Sequence, residues 1–422
     1  MKLFKTKPPT KLDAPFNDAQ TITPHTPIPT GPVDHSFESA WHRWYNAFKQ
    51  ILPTYIATHL AFFVTSCLAV LFLRPDFDWR NFPLYTLWQS WFRWDTGHFV
   101  HIATYGYTDA WRTAFFPLYP LLIKAVAPLT HNPFTAELLI SNIALLVVSM
   151  VLYQLVCEDF DRERADRAVL YLSVFPTAFF LAVGYNESLF LCLALLCFYQ
   201  MRRGRWWLAG LFGLFASLTR SAGLFLALPF CFEYLRQHEF RWRALRFSGL
   251  SVALIPAGLV AFSLFCYLRF GDWLAFSHAQ AHWQRHFELP WDGMLGSIQA
   301  IQSSTGLLSF QALRNLLDLG PDLFVLALII LSLVGPWRFP RTHLAYSLYA
   351  AVLYLFFHFV PNGGTGLYPL ESMSRFMLEI FPAFIVLATL GSHRLIHRPY
   401  LMVASAILFF LLLQFLTGHW VI

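Results

Sequence analysis

Long apolar runs separated by short polar stretches recur along the whole of this 422-residue chain. Runs of this kind predict helices that cross a hydrocarbon core of about 30 Å. We predict about eleven transmembrane helices, several of them short enough to need neighbouring helices around them. They are placed near 51–74, 136–156, 168–184, 187–201, 206–220, 222–236, 247–269, 321–337, 341–360, 376–392 and 398–418. The predicted fold class is an all-α polytopic membrane protein.

The composition supports this fold class. Hydrophobic residues make up 57% of the chain and aromatic residues 18%, while only 13% are charged. Soluble domains carry about 25% charged residues, so a soluble fold is excluded. The net charge of +6 does not indicate nucleic-acid binding, because membrane proteins concentrate Lys and Arg in their cytoplasmic loops. The six cysteines show no CxxC pair or disulfide pattern, and we expect them to be small core residues.

The N-terminal stretch differs from the rest of the chain because it is polar and rich in proline. Residues 1–37 contain no apolar segment of the kind found in a cleavable signal peptide. We therefore expect a disordered cytoplasmic tail over 1–37. A single transmembrane domain is predicted to follow it over 38–422.

The charges of the loops predict the orientation of the helices. Arginines cluster in alternate loops, and loops rich in Lys and Arg lie on the cytoplasmic side. The opposite, outer side then carries a first loop over about 75–135 and a long loop over about 270–320. Within the first loop, 115–130 could form a further short span, but its prolines and Lys124 favour an interfacial or re-entrant segment.

The first outer loop sets one acid among aromatic residues. If 88–106 is helical, Asp95 shares an amphipathic membrane-surface helix with Trp94, His98 and several other rings. An acid in such surroundings at a bilayer surface is costly and is a candidate for function. Two interpretations stay open: Asp95 is a helix N-cap, or it is a general base held at the membrane surface.

Two arginines and a second acid are predicted on the same outer side. Arg220 interrupts two apolar helices beside small residues, and Arg375 follows a glycine-rich loop. Their guanidinium groups suit a lipid phosphate, although an interfacial arginine can also simply extend towards the headgroups. Glu187 at a helix start is either a second acid of the site or a charge that favours the helix N-terminus.

Three histidines recur every four residues in the long outer loop, namely His278, His282 and His286. On a helix they would align like metal ligands, but the chain has no HExxH motif or cysteine cluster beside them. We therefore prefer a surface helix to a metal site. The sequence also lacks a Walker A loop, a Rossmann fingerprint and a nucleophile elbow. We predict no cofactor and no nucleic-acid partner, and a divalent metal stays open.

Several short segments carry a family resemblance that covers about residues 85–385. They are Arg93-Trp94-Asp95-x-x-His98-Phe99, Phe115-Phe116-Pro117-Leu118-Tyr119-Pro120, Tyr185-x-Glu187-Ser188, Thr219-Arg220-Ser221-x-Gly223 and Ser374-Arg375-Phe376. In them the chain resembles the phosphatidylinositol-glycan class V mannosyltransferases, the GPI mannosyltransferase 2-like family of the GT-C superfamily. Ala222 departs from this resemblance, since many eukaryotic members have asparagine there.

The resemblance implies a GT-C helical bundle and a mannosyltransferase of GPI-anchor biosynthesis. It also implies a polyprenyl- or dolichyl-phosphate-mannose donor, a lipid-linked glycan acceptor, surrounding membrane lipids and inversion at the anomeric carbon. The catalytic base would be an acid of the first outer loop, which matches Asp95. We expect Arg220 and Arg375 to stabilise the leaving lipid phosphate. The remaining substrate-binding residues that we predict are His98, Glu187, Trp94 and Tyr107.

Two alternatives to this function stay open. The chain could transfer another lipid-phosphate sugar to a cell-envelope lipid or a protein, or it could be a lipid-carrier flippase or transporter. Transport would predict inverted repeats and ionisable residues at the membrane midplane, and we detect no repeat. The membrane would be the plasma membrane in a prokaryote or the endoplasmic reticulum in a eukaryote, with the site on its extracytoplasmic or lumenal face.

Overall fold

The computed structural model describes residues 40–74, 80, 84–241, 246–361 and 366–419. Over these residues the chain is helical, without a β-strand. The predicted tail over 1–37 lies outside the described residues. The helices are α1 (Ala40–Leu73), α2 (Leu84–Gln89), α3 (Asp95–Tyr105), α4 (Leu118–Thr130), α5 (Pro133–Asp159), α6 (Arg162–Ser173), α7 (Glu187–Arg202), α8 (Trp206–Thr219), α9 (Ala227–Gln237), α10 (Leu254–Phe270), α11 (Ala275–His278), α12 (Asp292–Gln302), α13 (Phe310–Leu333), α14 (Leu344–Phe359), α15 (Met373–Phe376), α16 (Phe381–Leu390) and α17 (Arg394–Leu416).

Five helical segments in the described part of the chain are long and apolar enough to cross a membrane. They are Trp41–Leu73, Pro133–Asp159, Phe247–Phe270, Phe310–Leu333 and Arg394–Leu416. A sixth candidate is the pair Met373–Glu379 and Phe381–Leu390, which is bent by 81° and forms either a broken span or a re-entrant loop. The multi-span helical fold is thus confirmed, whereas the predicted count of about eleven spans is not.

Short apolar helices account for much of this difference. The segment predicted near 206–220 is α8, a helix of 14 residues, and 115–130 contains α4, a helix of 13 residues. At 1.5 Å per residue each rises only about 20 Å, so neither crosses a hydrocarbon core unaided. The lengths are consistent with the expectation that 115–130 is not a full span.

The single helix expected over 88–106 is divided into two in the structure. Helix α2 ends at Gln89 and α3 begins at Asp95, and the chain turns between them at Trp94, whose φ is 42°. Just before this turn, the indole of Trp91 donates a hydrogen bond to Ser66 Oγ of α1 at 3.0 Å. This side-chain contact connects the turn to the first long helix. The spacing of apolar residues in the sequence does not reveal such a contact.

The interior of the bundle is formed around α7 and α16. Both are buried on almost every face, as expected for helices that are hydrophobic all round. Helices α5 and α8 pack against α7, while α6 and α13 pack against α16. The long outer loop predicted over about 270–320, called the second outer loop below, contains α11 and α12, and α13 begins at Phe310, inside the range predicted as loop. The interruptions between these helices supply the charged residues described next.

Candidate active site

Four interruptions of the helical bundle bring charged side chains to one place. Asp95 is the first residue of α3, and Glu187 is the first residue of α7. Arg220 is the residue at which α8 ends, and Arg375 lies in the four-residue helix α15. Backbone that is broken inside a helical bundle needs local polar partners. The same breaks therefore leave both space and hydrogen-bonding groups for a polar site.

Arg375 joins the two acids of this site. Its Nη2 donates to Asp95 Oδ2 at 2.8 Å, and its Nε donates to Glu187 Oε1. The ring of Tyr185 lies beneath the same guanidinium, with its centroid 4.5 Å from Cζ. A planar guanidinium can satisfy two carboxylates at once in this way, which a lysine ammonium on a flexible stem does less well. Arg375 thus fixes the position of the Asp95 carboxylate.

Arg220 forms the second half of the network. Its Nη1 lies 2.8 Å from Glu187 Oε1, 3.1 Å from Glu379 Oε1 and 3.1 Å from Asn186 Oδ1. Glu187 and Glu379 are both fully buried, at 0% exposure. Buried charges persist only when they are paired, and the shared Glu187 pairs with both arginines. Glu187 also lies in the first turn of α7, where its charge favours the helix N-terminus, so the two interpretations given for it are compatible.

The Asp95 carboxylate and both guanidinium groups face a cavity of about 320 Å³. The walls combine this charged end with an apolar end. The lining residues are Asp95, Phe99, Ala114, Phe115, Phe116, Asn186, Thr219, Arg220, Ser221, Ala222, Phe276, Ser277, Gln280, Trp283, Arg285, Phe356, Phe357, Val360, Ser372, Arg375 and Phe376. A pocket that is mostly apolar with a few convergent polar groups is typical of a binding site for an amphiphilic small molecule.

A third arginine, Arg285, also lines this cavity. Its guanidinium lies over the ring of Phe376 at 5.1 Å. Burial lowers the pKa of Arg285 to about 10, and the positive charges of Arg220 and Arg375 act in the same direction. The charged end of the cavity therefore carries three guanidinium groups close together.

His98 packs against the lining residue Phe115 and does not itself line the cavity. Its Nδ1 is 3.4 Å from Arg112 Nη1, and its ring packs against Phe115 at 4.9 Å and Trp111 at 5.4 Å. His98 makes no hydrogen bond to Asp95 in the described structure. Burial lowers the pKa of His98, and the nearby Asp95 charge opposes this effect only in part.

Trp94 and Tyr107 are not among the residues that line the cavity. The Trp94 ring packs against Phe415 of α17 at 5.1 Å. The Tyr107 hydroxyl donates to the carbonyl of Phe115 at 2.6 Å, and its ring packs against Phe265 at 5.3 Å. Trp94 thus packs against α17, and Tyr107 packs against α10. Their predicted roles in substrate binding therefore stay predictions, without a contact to the cavity in the described structure.

The three spaced histidines each have a separate partner. His278 pairs with Asp272 and His286 with Glu288, while His282 stacks on Trp111 at 4.7 Å. The helical turn at His278 passes into a 3-10 helix over Ala279–Trp283, which breaks the four-residue alignment. Within the described ranges, no group of three or more His, Cys, Asp or Glu side chains could hold a metal ion.

Three residues of this site were missed from the sequence. Glu379 is an acid inside a predicted apolar span, and that signal alone could have identified it. Asn186 directly precedes Glu187. Its contact with Arg220 is seen only in the three-dimensional structure, where the turn before α7 brings its side chain to Arg220 Nη1. Arg285 gave no sequence signal, because the conformation of the second outer loop decides where its side chain lies.

Comparison with solved structures defines the class of protein. The chain superposes on ArnT from Cupriavidus metallidurans, solved with undecaprenyl phosphate, with a TM-score of 0.50 and 15% sequence identity. The match covers 81% of this chain and 59% of ArnT. The protein is thus a multi-span helical membrane protein with a GT-C-type fold.

Sequence comparison defines the family within that class. The model of the family described as Mannosyltransferase (PIG-V) matches residues 81–352, and the chain belongs to this family. It is 35% identical to GPI alpha-1,6-mannosyltransferase 2 of Mus musculus over 143 residues, which is 31% of this chain and 29% of the mouse protein. It is 25% identical to GPI mannosyltransferase 2 of Yarrowia lipolytica over 227 residues, which is 53% of this chain and 60% of the yeast protein. The chain therefore matches less than two thirds of the length of either relative.

Proposed function

We propose that this protein is a membrane mannosyltransferase that moves mannose from a polyprenyl- or dolichyl-phosphate donor to a hydroxyl of a lipid-linked glycan. The observation that carries the proposal is the position of Asp95. Its carboxylate opens onto the cavity while Arg375 holds it at 2.8 Å, beside Arg220. An acid and cations at one amphiphilic cavity are the groups that such a transfer requires.

The comparisons support the proposal in two ways. The family to which the chain belongs is described by mannosyl transfer, and the mouse and yeast relatives are named as GPI mannosyltransferases. The structurally similar ArnT was solved with a polyprenyl phosphate bound. A lipid phosphate needs only cations near the membrane and no nucleotide-binding motif, which agrees with the motifs that the sequence lacks.

The proposed reaction is a single displacement with inversion at the anomeric carbon. The acceptor hydroxyl gives its proton to Asp95 while its oxygen forms a bond to C1 of the sugar. The bond between C1 and the phosphate oxygen breaks, and the lipid phosphate leaves with the bonding electron pair. Asp95 enters this step already positioned by Arg375, so little rearrangement accompanies proton transfer.

The arginines would stabilise the negative charge of the leaving phosphate. Arg375 uses Nε and Nη2 on carboxylates, and Arg220 uses Nη1. The other guanidinium nitrogens of these residues have no carboxylate partner within the described structure and can donate to an anion in the cavity. Donors fixed in advance and shielded from water stabilise such charge most effectively. His98, next to the lining residue Phe115, would then act on the acceptor rather than orient Asp95.

The orientation of the site belongs to the same proposal. The loops opposite the arginine-rich loops are expected on the extracytoplasmic or lumenal side. Asp95, Arg220, Arg285 and Arg375 all fall in or beside those loops. A donor whose sugar is presented on that side of the membrane could reach the cavity laterally from the bilayer.

The test is transfer from radiolabelled polyprenyl-phosphate-mannose into lipid extract, using membranes that carry the full chain. We expect label in a lipid product with wild type and none with Asp95→Asn, since an amide cannot accept the proton. Asp109→Asn is the matched control. Asp109 is an exposed acid of the same loop, and its carboxylate pairs with Arg112 rather than lining the cavity. Equal transfer by wild type and Asp95→Asn would exclude Asp95 as the base. No label with wild type, from mannose or from other lipid-linked sugars, would favour transport instead.

A further inference from the structure

Arg285 differs from the other two arginines of the cavity in having no carboxylate partner in the described structure. Its guanidinium lies over the ring of Phe376, and its Nε is buried without a hydrogen-bond acceptor among the described residues. Arg220 and Arg375, by contrast, each bind two carboxylates. A buried N–H donor without an acceptor costs free energy, and a ligand that accepts its hydrogen bond would remove that cost.

The fold holds Arg285 firmly over the cavity. The preceding segment, Ala275–Trp283, lies against the first outer loop through aromatic contacts. His282 stacks on Trp111 at 4.7 Å, Trp283 packs edge-on against Phe115 at 5.4 Å, and Phe276 meets Phe116 at 5.7 Å. Arg285 is thus positioned by a packed segment rather than by a free loop.

The charge distribution at this end of the cavity selects an anion as the missing partner. The carboxylates of Glu187 and Glu379 lie against Arg220 on the side wall, and Asp95 is paired with Arg375. Arg285 adds a positive charge that none of these acids contacts. Guanidinium groups bind phosphate oxygens through parallel N–H bonds. A phosphate placed among the three arginines would satisfy Arg285 without displacing either existing pair.

We propose that Arg285 binds the phosphate group of the polyprenyl-phosphate donor and of the lipid-phosphate product. This assignment rests on the proposed function and adds a residue from the second outer loop to it. Arg220 and Arg375 then mainly hold the carboxylates, and Arg285 recognises the phosphate. The apolar wall formed by Phe276, Phe356 and Phe357 would receive the adjoining part of the prenyl chain.

The test is binding of farnesyl phosphate to the purified full chain in detergent, measured by calorimetry. We expect wild type to bind, Arg285→Gln to bind at least tenfold more weakly, and Arg285→Lys to fall between them, since a charge-assisted hydrogen bond is lost. Arg269→Gln, an exposed arginine at the end of α10, should bind like wild type. Farnesol, inorganic phosphate and phosphatidylglycerol are the competing ligands that separate a prenyl phosphate from its parts and from an ordinary lipid headgroup.

A purely structural role for Arg285 predicts a different result. Because the side chain has no ion pair with an acid in the described part of the chain, unliganded Arg285→Gln should be at least as thermostable as wild type. Lower stability of that variant without ligand would overturn the proposal. Equal affinity of wild type and Arg285→Gln for farnesyl phosphate would overturn it as well, and so would binding of phosphatidylglycerol to wild type as tightly as farnesyl phosphate. Failure of wild type to bind farnesyl phosphate would also overturn it. Labelled-donor transfer is measured separately, so the proposed function can stand when this assignment falls.

Discussion

Substitution of Arg375 by lysine tests whether one planar guanidinium must hold two acids at once. Arg375 donates from Nη2 to Asp95 at 2.8 Å and from Nε to Glu187. A lysine keeps the charge but presents one ammonium on a flexible stem, which cannot reproduce the two directed bonds. We expect the lysine to stay with the buried Glu187 and to leave the more accessible Asp95 without its cation.

The loss then amounts to about one charged hydrogen bond to Asp95, or about 1.5–3 kcal/mol. At about 1.4 kcal/mol for each factor of ten, kcat/KM for mannosyl transfer should fall roughly 10- to 150-fold. The measurement is initial transfer rate from labelled polyprenyl-phosphate-mannose over a range of donor concentrations. A position error at the base acts on the reacting atoms, so the loss should appear mainly in kcat.

The matched control is Arg203→Lys, another arginine-to-lysine change at a partly buried pair. Arg203 binds a single carboxylate, Glu158, at 2.6 Å, and lysine can reach one acceptor as well as arginine can. We expect that variant to keep transfer within about threefold of wild type, the range expected when one charged pair is retained. Wild-type transfer by Arg375→Lys would refute the two-carboxylate argument, and an equal loss in both variants would show a general defect in assembly.

Two further perturbations address packing and pH. A Cβ added at Gly223 would lie 2.4 Å from backbone atoms of Ala216, so Gly223→Ala should abolish the folded peak in size-exclusion chromatography. The control is Gly320→Ala in α13, where the added Cβ meets nothing within 4 Å. That variant should be as stable as wild type or more stable by up to about 1 kcal/mol. Burial lowers the pKa of His98 in the folded protein, so the unfolded chain takes up its proton more readily and stability should fall as the pH drops below about 6.5. His98→Phe should flatten that dependence in thermal melts from pH 5 to 8, and an unchanged slope would contradict the assignment.

The family of the protein was predictable from the sequence, and so were most of the charged residues that meet at the candidate site. Asp95, Glu187, Arg220 and Arg375 were all identified from local patterns, and the structure joins the four side chains in one ion-pair network beside the cavity. Their positions follow from helix ends and breaks, which leave visible local signals. Family resemblance then named the reaction that physical reasoning alone had left open.

The fold was less predictable, because apolar content does not determine helix length. The expected helix over 88–106 is interrupted at Trp94 by a turn that Trp91 ties to α1, and this contact joins residues far apart in the sequence. The apolar segment predicted over 376–392 is bent by 81° in the structure. The turn at Trp94 leaves no mark on the periodicity of the sequence, whereas Pro382 at the start of α16 is a signal of the second interruption that the predicted span did not use.

The buried polar residues behind the site show a related limit. Asp318 of α13 accepts a hydrogen bond from the Ser374 hydroxyl at 2.9 Å and so anchors the short helix that carries Arg375. An acid near an apolar span is a recognisable signal, but its partner is decided by tertiary packing. The sequence could therefore have marked Asp318 as unusual without revealing that it supports Arg375.

The arrangement of the cations indicates two separate tasks, one for the arginines that hold carboxylates and one for Arg285. Motif resemblance predicted that Arg220 and Arg375 stabilise the lipid phosphate, yet each of them binds two buried or partly buried carboxylates. Every such bond orients the guanidinium and reduces the donors left for a substrate. Arg285 has none of these bonds and reaches the same cavity from a different loop. An anion gains most from hydrogen-bond donors that have no other partner, so phosphate recognition should depend on Arg285 and positioning of the base on Arg375. Substitution of Arg285 should therefore lower mainly the affinity for the donor, and substitution of Arg375 mainly the turnover rate.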